Sequence, residues 1–439
     1  MNRRIWLLML LLVVLTFSGC ALRTVEDMYC LPKRSEAYNQ LQSAIDVAMV
    51  GLEYASPESG ANRQTVQMAD LDGDGSEEYL VFARGTLADP LQLMIFHQEE
   101  NGEVRLMELI SGSGTAFQQV EYAELDDNPG CEIILGRKVS NQVMGNVSLY
   151  GFSDGRMRQM LSIGYSKFLT CDLDRDGRGE LLVFSAGEAE MDNGVAALYS
   201  YRNGIMERSL ETELSVPLAR IKRIDPGMLR GGKTAVYVSG STDRSTIVTD
   251  VFAYEDGRLI NVPVSAGLNT GVNTLKNYYV YPEDLTGDGI PELPELIAMK
   301  PISPVSGSEQ QYLLRWYDLD IDGSRSNRLC TFHNYSDGWY LRLENTWAER
   351  LTLEQRGGSY TFYMWNNDFN KVTVLFTIYA LDDQNLDRFD DGNQFILKQG
   401  EGITYTARLE YGSATYGFTE EYLIESFHLI QRDQMPAVG

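Results

Sequence analysis

The stretch Asp70-Leu-Asp72-Gly-Asp74-Gly75-Ser-Glu-Glu78 alternates acidic residues and leads directly into the apolar run Tyr79-Leu-Val-Phe82. Carboxylates at positions 1, 3 and 5 of a tight loop turn toward one centre, and glycine at position 6 permits the sharp bend. Position 7 offers its backbone carbonyl, and the acid at position 9 closes the far side. Because carboxylates this close repel one another without a cation, the pattern predicts a metal-binding loop followed by a β-strand.

The same nine-residue window recurs along the chain, and each copy precedes another strand-like run. The further copies are Glu124-Leu-Asp126-Asp-Asn128-Pro-Gly-Cys-Glu132, Asp172-Leu-Asp174-Arg-Asp176-Gly177-Arg-Gly-Glu180 and Asp284-Leu-Thr286-Gly-Asp288-Gly289-Ile-Pro-Glu292. Asn-Gly and Asp-Gly dipeptides, which accept the positive φ angles of hairpin turns, repeat in step with the windows. They are Asn101-Gly102, Asp154-Gly155, Asn203-Gly204 and Asp256-Gly257, and the first three glycines each lie 31 or 32 residues after the start of a window.

A degenerate window appears when the same distance is counted back from Gly257. The count reaches Asp225 and gives Asp225-Pro-Gly-Met-Leu-Arg-Gly-Gly-Lys233, followed by the strand-like run Thr234–Val238. In chain order this is the fourth window, and the one at Asp284 is the fifth. Lys233 stands where the closing Glu belongs and its ammonium would take the place of a cation, so we predict no metal in this unit.

The last unit is longer, since Asp284 reaches its Asp322-Gly323 turn only after 39 residues. The stretch Asp318-Leu-Asp320-Ile-Asp322 imitates the start of a metal loop. Position 9 of such a loop would be Ser326 and not an acid. We therefore interpret the stretch as a strand that runs into the hairpin turn.

The repeat predicts the fold class. Successive windows start 48 to 59 residues apart, and each unit holds an acidic loop, a central strand, an outer hairpin and a return strand. Four strands per unit at this period are typical of propeller blades. A large β-sandwich is the alternative, but sandwich strands do not usually repeat in phase with a metal loop. We therefore predict a mainly β protein with a β-propeller-like repeat domain of five visible units over residues 61–339.

The flanks of the repeat region differ from it. Residues 36–52 space their apolar side chains along one face of a helix, which we expect to pack on the first unit or an open edge. With the anchor and a linker, this helix makes up residues 20–60. From about residue 340 the loops stop and aromatic residues become frequent, and we predict a small C-terminal α+β domain over 340–439. It could also hold closing strands of the propeller.

The N-terminal segment has the features of an export signal. Two arginines precede the apolar run Ile5–Phe17, which is shorter than the roughly 20 residues of a membrane span and fits the core of a secretory signal. The run ends in Ser18-Gly19-Cys20, which resembles a bacterial lipobox, although Phe17 departs from the pattern. The resemblance implies removal of residues 1–19 and acylation of Cys20, and an ordinary cleaved signal is the alternative. We expect an exported protein, lipid-anchored to the outer face of the bacterial cell membrane.

The composition limits the partners. With 62 acidic and 37 basic residues the chain carries a net charge of −25, which argues against nucleic acid and suits cation binding at an extracytoplasmic surface. The cysteines beyond Cys20 lack the spacing of zinc sites. We expect them to be small buried residues, although their disulfide state is left open. They are Cys30, Cys131, Cys171 and Cys330.

The position of the closing acid separates this loop from better-known calcium motifs. An EF-hand closes with Glu at position 12 and continues into a helix, whereas position 12 is Val81, Leu135 and Val183 in the first three windows. That excludes EF-hands and dockerin modules. An acid at position 9 before a strand resembles the FG-GAP and VCBS repeats of integrin-α-type propellers, over residues 65–330, although the Phe-Gly and Gly-Ala-Pro pieces are absent. The resemblance implies calcium-stiffened platforms for protein or glycan contacts.

Calcium takes six to eight oxygen ligands, and we expect three to four Ca²⁺ sites. The first and third windows have complete acidic sets and should bind most tightly, whereas Asn128 with Pro129 weakens the second and Thr286 the fifth. Extracellular calcium modules bind at about 10⁻⁴–10⁻³ M, and we expect that range here. The predicted ligands are Asp70, Asp72, Asp74, Ser76, Glu78, Glu124, Asp126, Asn128, Glu132, Asp172, Asp174, Asp176, Arg178, Glu180, Asp284, Thr286, Asp288, Ile290 and Glu292.

These features predict a surface-anchored calcium-binding scaffold for protein or glycan recognition and adhesion, with an unidentified partner. Trp339, Trp347 and Trp365 could stack on sugars, but packing in a core is favoured. One alternative is a glycan-active propeller enzyme, although no catalytic constellation is found and fold alone does not decide activity. The other is an accessory envelope lipoprotein with no ligand beyond calcium.

Overall fold

The computed structural model describes most of the chain. The described residues are 36–85, 90–99, 101–139, 145–185, 192–217, 220–241, 246–263, 274, 276, 280–300, 302, 310–366, 372–382, 389, 392–400 and 402–430. The expected signal segment, Cys20 and Cys30 lie outside them. Within the described residues, no helix has the length and apolar character needed to cross a membrane.

The described chain divides into two compact units. The first comprises residues up to Ser56 with 64–69 and 77–112, and the second comprises 57–63, 70–76 and the chain from Ser113 onward. The connection between residues 69 and 77, which holds most of the first acidic loop, therefore belongs to the second unit.

The first unit is one antiparallel sheet with a helix. The sheet order is β1-β3-β4-β5, and β2 also pairs with β3. The elements are α1 (Glu36–Ala48), β1 (Glu53–Tyr54), β2 (Val66–Ala69), β3 (Glu78–Arg84), β4 (Leu91–Gln98) and β5 (Val104–Gly112). Ile45 of the helix is buried against Val81, Met94 and Phe96 of the sheet. The predicted amphipathic helix and its packing on the first sheet are confirmed.

Three four-stranded antiparallel sheets follow in the second unit, each with its strands paired in chain order. The second sheet holds β6 (Ala116–Ala123), β7 (Glu132–Lys138), β8 (Gly145–Ser153) and β9 (Arg156–Tyr165). The third holds β10 (Lys167–Cys171), β11 (Glu180–Ser185), β12 (Val195–Arg202) and β13 (Ile205–Glu213). The fourth holds β14 (Ile221–Met228), β15 (Thr234–Ser241), β16 (Ile247–Glu255) and β17 (Arg258–Asn261).

Two five-stranded sheets complete the second unit. The fifth sheet has the order β18-β19-β20-β21-β27 and the sixth β22-β23-β24-β26-β25. The strands are β18 (Leu293–Ala298), β19 (Tyr312–Leu319), β20 (Arg325–Asn334), β21 (Trp339–Leu343), β22 (Leu351–Arg356), β23 (Ser359–Met364), β24 (Thr373–Asp382), β25 (Phe395–Gln399), β26 (Ile403–Leu409) and β27 (Phe427–Leu429), with helix α2 (Glu420–Ser426) before the last strand.

Strand β11 shows how consecutive sheets pack. Side chains on a strand point alternately to opposite faces. Leu181 and Val183 lie in the core shared with the second sheet, whereas Leu182 and Phe184 lie in the core shared with the fourth. Because both faces of the strand are covered, it appears in the sequence as a continuous apolar run.

The repeat prediction is confirmed at the level of strands and turns. The runs after the acidic windows form β3, β7, β11 and β18. Asp154, Asn203 and Asp256 adopt positive φ angles of 49–53° ahead of their glycines, as two-residue hairpin turns require. Asp318 ends a strand and Asp320–Ser324 forms the turn, as interpreted from the sequence. The described chain is mainly β, with six antiparallel sheets of four or five strands.

The fourth window needs correction. Asp225 lies inside strand β14, and the register pairs Met228 with Thr234. The equivalent register elsewhere pairs Cys171 with Glu180, so Thr234, not Lys233, takes the place of the closing Glu. The connection has five residues where the third loop has eight, and the Lys233 ammonium lies 3.3 Å from a Glu255 carboxylate oxygen.

Within residues 340–430, the described chain supplies the sixth sheet, α2, strand β27 and all but the first residue of β21. Phe362 of β23 stacks on Phe376 with ring centroids 4.7 Å apart and meets Phe332 of the fifth sheet edge-on at 5.4 Å. Trp339 is fully buried and stacks on Phe427 of β27. Of the three tryptophans expected either to stack on sugars or to fill a core, Trp339 lies in the core. This region shares its core with the fifth sheet.

The cysteines that the structure describes are free thiols. Cys131, Cys171 and Cys330 form no disulfide among the described residues. Burial raises the pKa of each thiol to about 12, so each stays protonated at neutral pH. The expectation of small buried cysteines therefore holds for Cys330, whereas Cys131 and Cys171 are half-buried.

We expect Phe362→Ala to destabilise the protein by about 3–5 kcal/mol, because truncation of a buried Phe leaves a cavity, here at the junction of the fifth and sixth sheets. Phe395→Ala, at a half-buried position of edge strand β25, should cost much less. Urea unfolding of both variants, followed by tryptophan fluorescence, measures the difference. Equal costs would show that the two sheets do not depend on this shared core.

Candidate metal sites

The second and third acidic loops connect the first strand of their sheet to the second, and the first loop connects β2 to β3. The closing Glu begins the second strand, since Ala123 pairs with Glu132 and Cys171 with Glu180. In the fifth sheet an isolated bridge joins Glu283 and Glu292 in the same way. The register of the two strands therefore determines the position of the position-9 carboxylate in each loop.

The third loop gathers the most carboxylates. Oxygen atoms of Asp172, Asp174, Asp176 and Glu180 all lie within 4.8 Å of one another. The first loop brings Asp70, Asp72 and Asp74 together, and the fifth brings Asp284, Asp288 and Glu292 together, within the same limit. The structure thus forms three acidic clusters, at the windows where the complete or nearly complete acidic pattern was found, and each could hold a metal ion.

A common set of backbone hydrogen bonds turns these carboxylates inward. The position-1 Asp accepts a hydrogen bond from the N–H of the position-6 glycine at 2.9–3.1 Å. The position-5 Asp accepts one from the N–H of position 7 at 2.7–3.0 Å. The glycines at position 6 adopt φ angles of +82° to +95°, which side-chain-bearing residues avoid.

The second loop lacks this arrangement. Pro129 at position 6 has no N–H to donate to Glu124 and cannot adopt a positive φ. Asp126 instead accepts hydrogen bonds from the backbone N–H and the side-chain amide of Asn128, at 2.6 and 2.8 Å. Within the described residues, Glu124, Asp126 and Glu132 do not converge as a cluster, which agrees with the expectation of a weaker site.

Glu78, the predicted closing residue of the first loop, belongs to the first unit. Its side chain is fully buried, and its Oε1 lies 2.9 Å from Nδ1 of His97. No local pattern in the sequence connects these two residues. They approach because His97 and Glu78 lie on adjacent strands of the first sheet.

The closing glutamates of the other loops have a structural task that the sequence did not reveal. Oε2 of Glu132, Glu180 and Glu292 accepts a hydrogen bond from the backbone N–H of the position-2 leucine at 2.6–2.8 Å. All three are buried. Each leucine is itself buried, so the bond also satisfies an interior N–H.

Burial raises the pKa of these closing glutamates. The pKa of Glu132 rises to about 7, through burial first and then the charge of Asp126. The pKa of Glu180 rises to about 8, through burial and then Asp174, Asp172 and Asp176. Without a cation the cluster therefore holds a proton at neutral pH, as expected where acids share one site.

Positive side chains contact the fifth and second loops. Arg328 donates to Asp288 at 2.6 Å and its Nε lies 2.9 Å from the buried Asp318. Thr286, predicted as a ligand, donates its hydroxyl proton to Glu292 at 2.8 Å. Arg178 of the third loop donates to Asp127 of the second. A metal at the fifth loop would compete with Arg328, which agrees with the weaker binding expected there.

The loops of the second unit also contact one another through the backbone. The Cys131 N–H donates to the carbonyl of Asp70 at 2.9 Å, and the Gly179 N–H donates to the carbonyl of Glu124 at 2.8 Å. The Met228 N–H donates to the carbonyl of Gly289 at 3.2 Å. The first three acidic loops therefore form a connected row, and the fifth loop contacts the end of strand β14.

The donor set is chemically uniform. The three clusters offer carboxylate oxygens and no sulfur or nitrogen, which are the ligands of hard cations such as Ca²⁺ and Mg²⁺. The predicted carbonyl ligands of Ser76, Arg178 and Ile290 stay predictions, because at these residues the structure shows the backbone N–H engaged with the position-5 Asp.

No protein-family model matches the chain, and no curated protein matches it. Among solved structures, it is similar to the exotype rhamnogalacturonan lyase YesX at 12% identity and a TM-score of 0.27, with 74% of this chain and 65% of that chain covered. The rhamnogalacturonan lyase YesW matches at 11% and 0.26, with 73% of each chain covered. The Dos1 propeller matches at 8% and 0.28, with 81% of each covered. The chain spans just under two thirds of the length of YesX.

Gly73 and Gly75 of the first loop allow a test of the contact between loops. Both have positive φ angles, but a Cβ on Gly73 would lie 2.3 Å from Cβ of Pro129, whereas one on Gly75 would meet no atom within 4 Å. We expect Gly75→Ala to cost about 1 kcal/mol for the left-handed backbone and Gly73→Ala clearly more. Thermal melting in excess chelator, which removes any metal contribution, measures the stability lost by each variant. Equal losses would show that the second loop can move away from the added Cβ at little cost.

Proposed function

We propose that this protein is an exported, lipid-anchored scaffold that binds calcium in a row of loops and presents a stiffened β surface for extracytoplasmic recognition. The observation that carries the proposal is the convergence of carboxylates at the same place in three repeats. One acidic loop is a common surface feature. Three loops with the same hydrogen-bonding scheme and the same strand register are a repeated design.

Calcium suits these loops better than other cations. Zinc prefers sulfur and nitrogen ligands, and magnesium demands a small octahedral site that retains several waters. Loops of alternating carboxylates supply the larger and less regular oxygen shell that Ca²⁺ accepts. The export expected from the N-terminal sequence would bring the loops to a compartment where calcium is abundant enough for sites of moderate affinity.

The proposed effect of calcium is stiffening. The clustered carboxylates repel one another, and the closing residues Glu132 and Glu180 are each bonded to their loop and begin a central strand. A bound cation would remove the repulsion and tie the loop to the strand, and because the loops contact one another, to the neighbouring sheet. Ligand binding to the folded state alone stabilises it by RT ln(1 + [L]/Kd).

We expect excess calcium to raise the melting temperature and chelator to lower it. Each site would contribute about 2.7 kcal/mol when calcium is at 100 times its Kd. The double variant Asp174→Asn/Asp176→Asn should lose one site in calorimetric titration and part of the calcium-induced rise. Magnesium at the same concentration should stabilise less.

Asp256→Asn is the matched control for these substitutions. Asp256 is an exposed turn residue with a φ of 49°, an angle that Asn tolerates, so the variant changes charge without touching a loop. It should retain every calcium site. A protein whose melting temperature ignores both calcium and chelator would refute the scaffold as proposed.

Anchoring is tested separately at Cys20. In a bacterial expression host, the full chain should incorporate a labelled fatty acid and enter the detergent phase, because a lipoprotein cysteine carries several acyl chains and one alone anchors weakly. Cys20→Ser should remain unlabelled, whereas Cys30→Ser should behave like the wild type. Labelling that survives Cys20→Ser would contradict anchoring at this residue.

A further inference from the structure

A cleft of about 690 Å³ opens in the second unit, away from the acidic loops. Its walls are residues 59–62 and the first strands of three consecutive sheets, β6, β10 and β14. Its volume lies in the range of about 300–1,000 Å³ that is typical of ligand pockets.

The cleft concentrates positive charge. Lys167 of β10 and Lys222 of β14 line it, both are exposed, and neither has a carboxylate partner among the described residues. Arg223 also lines it and pairs with Asp225 at 2.7 Å. In a chain with a net charge of −25, two uncompensated lysines around one cleft are a local exception, and such a site attracts anions.

Glu121, the carboxylate in the lining, is hydrogen-bonded to neighbouring residues. Glu121 accepts hydrogen bonds from the backbone N–H and the hydroxyl of Thr170, at 2.8 and 2.7 Å. It also accepts one from the side-chain amide of Gln119 at 2.5 Å. These donors hold Glu121 in place, so the lining carries two lysines without a carboxylate partner against one carboxylate that is hydrogen-bonded within the protein.

The rest of the lining suits a ligand rich in hydroxyl groups. Ser59, Asn62, Gln119 and Thr170 bring hydroxyl and amide groups to the cleft, beside the apolar wall of Phe168. Side-chain amides both donate and accept hydrogen bonds, as sugar hydroxyls do. The amides of Gln119 and Asn62 are held by the carbonyls of Phe168 and Val120, so they are fixed before a ligand arrives.

We propose that this cleft binds an acidic sugar, with its carboxylate between Lys167 and Lys222 and its hydroxyls on the amide and hydroxyl groups of the wall. The inference rests on the recognition part of the proposed function, for which it names a site and a ligand class. It does not rest on calcium, because the cleft and the acidic clusters share no residues.

The test is saturation-transfer NMR and calorimetric titration of the mature protein with digalacturonate, the neutral disaccharide cellobiose and inorganic phosphate. We expect digalacturonate to bind, cellobiose to bind at least about tenfold more weakly, and binding to weaken as salt rises, since exposed charges are screened. Cellobiose binding as tightly as the uronate would overturn the role of the lysines. Phosphate binding as tightly would overturn the role of the sugar.

The double variant Lys167→Met/Lys222→Met should bind digalacturonate roughly tenfold more weakly, the scale expected for loss of charge-assisted hydrogen bonds. Both lysines are exposed, so the fold should survive, and circular dichroism checks this. Lys398→Met, at an exposed lysine on β25, should bind like the wild type. Undiminished binding by the double variant would exclude this cleft.

Running every titration in calcium and again in chelator separates the two proposals. Uronate binding that persists in a protein without calcium sites would overturn the scaffold proposal alone. Calcium binding without uronate binding would overturn the cleft alone and favour an accessory lipoprotein with no ligand beyond calcium.

Discussion

Repulsion among carboxylates confined to short loops is the constraint around which much of the second unit is arranged. In the third loop four carboxylates converge within 4.8 Å, and backbone N–H groups offset part of their charge. The pKa of Glu180 is raised to about 8, first by burial and then by the charges of Asp174, Asp172 and Asp176, so without a cation the loop holds a proton at neutral pH. The same glutamate begins a central strand and accepts a hydrogen bond from the leucine at the start of its loop. The repulsion within the loop therefore acts on the sheet as well.

The sequence predicted those parts of the fold that depend on short-range chemistry. Asp154-Gly155 and Asn203-Gly204 indicate tight hairpins because few other dipeptides accept two positive φ angles. The run 181–184 indicates a doubly covered strand because it has no polar face. Their regular spacing then predicted a repeat of strand-containing units, and through it the mainly β class. Acidic clusters were predicted for the same reason, since the spacing within one loop determines which side chains share a centre.

What the sequence could not predict depends on pairing between distant segments. Window counting put Lys233 at the closing position, but strand register decides that position, and a shorter connection moves Thr234 there. The contact between His97 and Glu78 needs two paired strands, and the row of loop contacts needs packed sheets. The cleft takes its walls from segments more than 100 residues apart, so no local pattern could indicate it. The sixth sheet carries no acidic loop and therefore gave no periodic signal.

The fourth sheet shows that loop and framework are separable. Met228 and Thr234 keep the pairing that Cys171 and Glu180 have, although three residues and every loop carboxylate are missing between them. The pairing of these two strands therefore does not depend on an acidic connection. Connections with and without carboxylates can be exchanged one sheet at a time, because the strand register that receives them stays the same.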